Sequence, residues 1–198
     1  MEYCEGDMGT GRIAAFSDGV IAIIVTIMVL ELRPPLAPTL ASLRQLTPIF
    51  LSYLLSFVIV SIMWVNHHHL VHALREVNAR VLWLNINLLF WMSLIPFVTT
   101  WLGQTHPAPL PVAVYGLTLC LGATGFGLLR LELVRQVQAH PALLAHHRRL
   151  QVKNSLSAFI YFLSAVVAFR SVYLAEAMFT LIPLMYFVPE RHASDGID

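Results

Sequence analysis

The chain has 198 residues, of which 58% are hydrophobic and only 12% charged, with a mean hydropathy of +0.72. An average soluble domain carries about 25% charged residues, and a soluble sphere of this size could not cover its surface with so few ionic groups. This composition argues against a soluble enzyme, a nucleic-acid-binding protein or a disordered chain, and for an integral membrane protein. The net charge of +1 gives no strong steering toward anionic partners. Cys4 and Cys120 are too far apart for a disulfide framework and have no metal-type spacing. The N-terminus, MEYCEGDMGT, is acidic and lacks a basic n-region. No cleavable signal peptide is expected, so the first apolar run is assigned to the mature protein.

A transmembrane helix needs about 20 mostly apolar residues. Six spans are expected, over approximately 13–32, 46–65, 81–102, 112–134, 156–169 and 173–188, within one transmembrane domain covering 1–198. The first ends at Arg33-Pro34-Pro35, the third at the proline-rich stretch around Pro107, Pro109 and Pro111, and the last at Pro189. The fifth and sixth are short and separated only by Arg170-Ser171; together they exceed one crossing, so a tight turn is expected between them. Pro96 and Pro183 fall inside spans, where membrane helices accept them with a kink. With the N-terminus inside, the inner segments hold Arg12, Arg75, Arg80, Arg130, Arg135, Arg148, Arg149, Lys153 and Arg191, and the outer ones only Arg33, Arg44 and Arg170. This asymmetry places both termini in the cytoplasm.

The first span carries the strongest local signal. Asp18 sits inside its apolar run, where a carboxylate costs about 2.5–3.5 kcal/mol on insertion scales, and therefore faces protein or water. Ser17 can hydrogen-bond and Gly19 permits close helix approach. Asp18 is either an interhelical packing group or a transport site; spacing does not separate the two. Ile23, Ile27 and Leu30 follow an i, i+4, i+7 pattern and share one face, with Thr26 beside it. At 100° per residue Asp18 projects about 140° away from Ile23. From spacing alone the aliphatic stripe can face lipid, neighbouring helices or a pore.

The stretch Arg12-x-x-x-Phe16-Ser17-Asp18, followed by Gly-Val-x-Ala-Ile-x-x-Thr-x-x-x-Leu, resembles the signature of the transmembrane protein 175 family of potassium channels, and the six-span layout resembles its short prokaryotic, single-repeat members. The resemblance implies an all-α membrane protein whose first helices line a pore in a homotetramer, with potassium as the permeant ion. It implies a constriction of aliphatic side chains in place of a carbonyl filter, with Ile23 at the bottleneck, Ile27 and Leu30 as further apolar layers, and Thr26 near the selectivity step. It also implies a supporting network of Arg12, Phe16, Ser17, Asp18, Trp64 and His67. The expected localisation is a bacterial or archaeal plasma membrane, with lipids and a second copy of the chain as partners and no nucleic acid.

Other polar residues leave alternatives open. Trp64-Val-Asn-His-His-His-Leu-Val-His72 ends the second span. His67 joins the first-helix network in the family reading; His68, His69 and His72 are otherwise solvated at the membrane edge. A metal box of the membrane-hydroxylase kind needs several histidine boxes on more than one helix, and His140, His146 and His147 lack matching spacing, so no cofactor and no enzymatic activity are expected. Asn85 and Asn87 are expected to be buried interhelical hydrogen bonders. Gly116, Gly122, Ala123, Gly125 and Gly127 mark the fourth span as close-packed. Glu176 is expected at the outer interface beside Arg170, and Arg130 to Lys153 as a basic cytoplasmic loop touching anionic lipid. A His-cluster metalloenzyme and a proton-coupled transporter using Asp18 are the competing functions.

Overall fold

The computed structural model describes residues 5–74, 76–136 and 141–187, with side-chain burial for 9–74, 76–136 and 144–186. Cys4, Arg75, His140, Val188, Pro189 and Arg191 lie outside them. The described residues form eight helices: α1 (Glu5–Leu30), α2 (Leu40–Gln45), α3 (Thr47–His72), α4 (Ala79–Ser93), α5 (Ile95–Thr105), α6 (Pro109–Gln136), α7 (Pro141–Val167) and α8 (Val172–Phe187). Five segments are long and apolar enough to cross a membrane, with α4 and α5 acting together as one; the segment Val172–Tyr186 is apolar but shorter. The protein is an all-helical integral membrane protein with the six-segment layout.

Proline and cap chemistry set the boundaries. Thr39 caps the short α2 by accepting from the Ser42 N–H, and Asn78 caps α4 by accepting from the Val81 N–H at 2.9 Å. The third segment breaks at Leu94, with Pro96 in the first turn of α5, because proline has no N–H to continue the ladder. Pro183 lies inside α8.

The helices reach past two of the expected span boundaries. α7 starts at Pro141, ahead of the span expected from 156. The stretch from Arg130 to Lys153 is accordingly not a loop, since α6 runs through Gln136 and α7 covers the rest of the described part. The charged residues end the hydropathy signal, while the backbone ladder continues through them. The second segment likewise runs beyond 65 to His72 and carries the histidines on a helix.

α6 is the central helix, buried along most of its length and packed on α7, α4 and α5. Its glycines let neighbours approach: a Cβ on Gly116 would meet the Tyr161 carbonyl oxygen at 3.1 Å, and one on Gly125 would meet Leu88 Cα at 3.3 Å. The tightest backbone approach is at Gly103 on α5, where a Cβ would lie 2.7 Å from Ile49 Cα on α3. Gly103→Ala is expected to cost about 1–3 kcal/mol by overpacking, read as a lower unfolding temperature in detergent; an unchanged temperature would contradict so close a contact between α3 and α5.

Buried polar groups are joined across helices. The Tyr115 and Ser56 hydroxyls are 2.9 Å apart, and the Thr99 hydroxyl lies 2.7 Å from Ser56 Oγ and from the Ile95 carbonyl. Among the described residues no ion pair joins Glu176 to Arg170; Glu176 pairs with His106, its Oε1 3.1 Å from Nε2. The proline-rich turn before α6 delivers His106 to that position.

Candidate functional site: the first helix and its support

α1 has two unlike faces. Ile13, Ser17, Ile21, Ile24 and Met28 recur at helical spacing and are buried against α3, α4 and α5. Away from them Phe16, Ile23, Ile27 and Leu30 are exposed, Ile23 at 58% and Leu30 at 78%. Beside this stripe Gly11 and Gly19 have no atom within 4 Å of where a Cβ would stand, outside their own helix and chain neighbours. The exposed half of α1 is therefore an aliphatic ridge bordered by small residues. Thr26 is exposed, and its hydroxyl donates to the Ile23 carbonyl at 2.9 Å. That bond uses the hydroxyl proton and leaves the oxygen lone pairs available to accept or to face a cation.

Two sets of hydrogen bonds hold α1 to its neighbours, one buried and one exposed. Trp64 Nε1 on α3 donates to Asp18 Oδ1 at 2.8 Å. His67, 1% exposed, has Nε2 at 2.7 Å from Asn85 Oδ1, and Asn85 Nδ2 donates to Ser17 Oγ at 2.9 Å. An amide oxygen only accepts, so His67 carries its proton on Nε2. The chain His67–Asn85–Ser17 ties α3, α4 and α1 into one buried unit, with Asp18–Trp64 alongside it.

Asp18, Trp64, Ser17 and His67 are thus gathered at one level, with Asn85 as the bridge between His67 and the first helix. Arg12 and Phe16 are exposed, and among the described residues no ion pair reaches Arg12. Asn87, expected to be buried, is exposed; it faces away from the network because it lies two residues beyond Asn85 on the helix. His69 and His72 are exposed and His68 partly so. Among the described residues no group of three or more His, Cys, Asp or Glu could hold a metal ion. Glu31, not singled out from the sequence, follows Leu30 directly and lines a cleft of about 340 Å³ with Ile27, Ser93, Thr100 and Gln104.

The family model for the endosomal/lysosomal potassium channel TMEM175 matches residues 12–96, from the arginine of the first-helix motif to the break in the third segment. A potassium channel of Chryseobacterium sp. (strain P1-3) is 40% identical over 190 residues, covering 96% of this chain and 98% of the relative. The chain belongs to the TMEM175 family. A potassium channel of Streptomyces collinus is 30% identical over 205 residues, covering 93% of this chain and 97% of that relative. Among solved structures, a lysosomal potassium-selective channel TMEM175 homolog from Chamaesiphon minutus superposes with a TM-score of 0.77 at 28% identity, over 89% of this chain and 95% of the other. The similarity spans nearly the whole of these TMEM175 relatives, so it extends beyond the motif to all six segments.

Proposed function

We propose that this protein is a potassium-selective, leak-type channel in which four copies surround an axis lined by α1. The observation that carries this reading is the division of α1 into a buried face fixed by hydrogen bonds and an exposed aliphatic ridge. In a lone chain Ile23 at 58% exposure has no protein partner on its outer side, and a fourfold axis gives it one. The similarity over full length to channels named for potassium supports the choice of ion.

The mechanism follows from the side chains. A ring of four Ile23 residues closes by dewetting, as hydrophobic constrictions do. Ile27 and Leu30 extend the apolar stretch by a helical rise of roughly 10 Å. Four Thr26 hydroxyls, held by the Ile23 carbonyls, present oxygens to an ion that has shed part of its shell. Potassium is the larger ion and gives up water more readily, so it passes the ring at lower cost than sodium. Glu31 supplies a carboxylate at the far end of α1, where a ring of acids concentrates cations. The network acts as a brace: Asp18 and Ser17 fix α1 to α3 and α4 so that Ile23 stays on the axis.

The Arg and Lys asymmetry supports cytoplasmic termini, and the full-length similarity to bacterial channels supports a prokaryotic plasma-membrane protein. The reading is conduction by a single transmembrane domain over 1–198, without a resident cofactor or catalysis. Potassium and sodium flux into liposomes containing the purified protein tests it. Downhill potassium flux faster than sodium, unaffected by collapse of a proton gradient, is the expected result. Saturable uptake that stops when the proton gradient is removed would instead make Asp18 a transport carboxylate.

A further inference from the structure

In a six-segment chain the first and third segments run the same way across the membrane, so α1 and α5 end at one face, which the Arg and Lys asymmetry makes the outer one. The two helices pack together, and the cleft of about 340 Å³ beside Glu31 opens between them at that end. From the α1 side it is lined by Ile27 and Glu31, and from α5 by Phe97, Thr100, Trp101 and Gln104. The i, i+3, i+4, i+7 spacing of the α5 residues puts them on one helix face. The volume falls within the range of small-ligand pockets. The walls are accessible: Ile27 is 41% and Phe97 64% exposed, while Thr100 and Trp101 are half-buried.

The cleft is polar at its outer end and apolar at its inner end. Glu31 directly follows α1 and Gln104 lies in the last turn of α5, whereas Phe97 is seven residues, roughly 10 Å, below Gln104. Among the described lining residues Glu31 alone is charged, and none is Arg, Lys or His. Arg33 lines a separate cleft beside α2 and α3. Among the described residues no ion pair or hydrogen bond reaches the Glu31 carboxylate, the Thr100 hydroxyl or the Gln104 amide. Ser93, at the inner end, instead donates to the Phe90 carbonyl at 2.8 Å. The Phe97 and Trp101 ring centres are 6.0 Å apart, and aromatic faces, tryptophan above all, attract cations. An unpaired carboxylate, two acceptor oxygens and a pair of rings complement a positive head attached to a small apolar body. A bare metal cation or a neutral apolar compound matches only half of this lining.

We propose that this cleft binds a small arylalkylammonium cation entering from the outer side. Its ammonium group donates to the Glu31 carboxylate and to the Thr100 and Gln104 oxygens, in charge-assisted hydrogen bonds. Its ring lies against Phe97, Trp101 and Ile27. Ile27 belongs to the exposed ridge of α1, so an occupant stands beside that ridge. The groups that bind it come from one chain, so the site holds whether or not four copies conduct.

Equilibrium dialysis of phenethylammonium against the purified protein, with detergent micelles alone as the blank, tests the site. Phenethyl alcohol serves as the uncharged counterpart and methylammonium as the ammonium without a ring. The expected result is one phenethylammonium per chain, held about fivefold more tightly than the alcohol, the upper end of what a part-exposed ion pair supplies. It is expected to bind about tenfold more tightly than methylammonium, through burial of the ring. Glu31→Gln keeps the shape and removes the charge, and is expected to bring phenethylammonium down to the level of the alcohol. Trp101→Leu is expected to weaken binding about threefold. Equal binding of amine and alcohol, methylammonium held as tightly as phenethylammonium (a simple cation site), or wild-type binding in either variant would each overturn the proposal. If Trp101→Leu fails to fold, Glu31→Gln, an exposed change at a helix end, decides the matter alone.

Discussion

Ile23→Asn is expected to raise potassium flux through the reconstituted protein about tenfold, equivalent to lowering a barrier by about 1.4 kcal/mol, and to narrow the difference between potassium and sodium. In the proposed tetramer the exposed ridge of α1 would put Ile23 at the axis, where a ring of branched aliphatic side chains would expel water from the passage. Asparagine has nearly the same reach but hydrates, so the ring stays wet and an ion crosses without first opening it. Discrimination falls for the same reason, because both cations then keep more of their shells. Flux of both ions at matched protein density reads the two effects together. Unchanged flux and unchanged ion preference would place the constriction elsewhere on the chain.

The second large effect is expected at Asn85. Its side chain accepts from His67 and donates to Ser17, and all three residues are buried. Asn85→Leu keeps the branching and the number of side-chain heavy atoms but leaves the His67 N–H and the Ser17 hydroxyl without their partner. Each orphaned buried group costs about 1–3 kcal/mol, so a loss of roughly 2–6 kcal/mol is expected, read as a lower unfolding temperature and a smaller fraction of assembled protein. Ser17→Ala removes a single bond and is expected to cost less. Equal stability of wild type and Asn85→Leu would mean that water or neighbouring groups replace the bridge at no cost. Membrane hydrogen bonds average only about 0.6 kcal/mol in one measured case, which sets the lower comparison.

The membrane class and the six-segment layout are legible because they rest on composition and on runs of apolar residues, which the bilayer reads in the same way. The first-helix motif is legible because Asp18 is out of place in an apolar run and needs a partner; its bond to Trp64 gives it one. The ends of the helices are less so. Arg148, Arg149 and Lys153 interrupt the hydropathy of α7, yet the helix runs on through them, with Arg148 and Arg149 exposed and the Lys153 ammonium over the Tyr186 ring. Asn85 could be recognised as polar and interhelical, but its place between His67 and Ser17 depends on how α3, α4 and α1 pack. The same holds for Gly103 against Ile49, and for Glu176, whose partner His106 is delivered by a turn rich in proline.

The central claim is that the exposed ridge of α1 lines a water-filled path shared by four copies. Ile27→Cys, in a background with Cys4 and Cys120 replaced by serine, tests it most directly. Ile27 lies one turn beyond Ile23 on the ridge and is 41% exposed, so four thiols would face one another across the axis. The account predicts that micromolar cadmium, a soft cation that favours clustered thiolates, blocks potassium current in this variant and is reversed by chelation. Phe159→Cys on α7, 61% exposed and far from the ridge, should stay insensitive. Full current in Ile27→Cys under cadmium, with the block appearing at Phe159→Cys or nowhere, would contradict an ion path along the first helix.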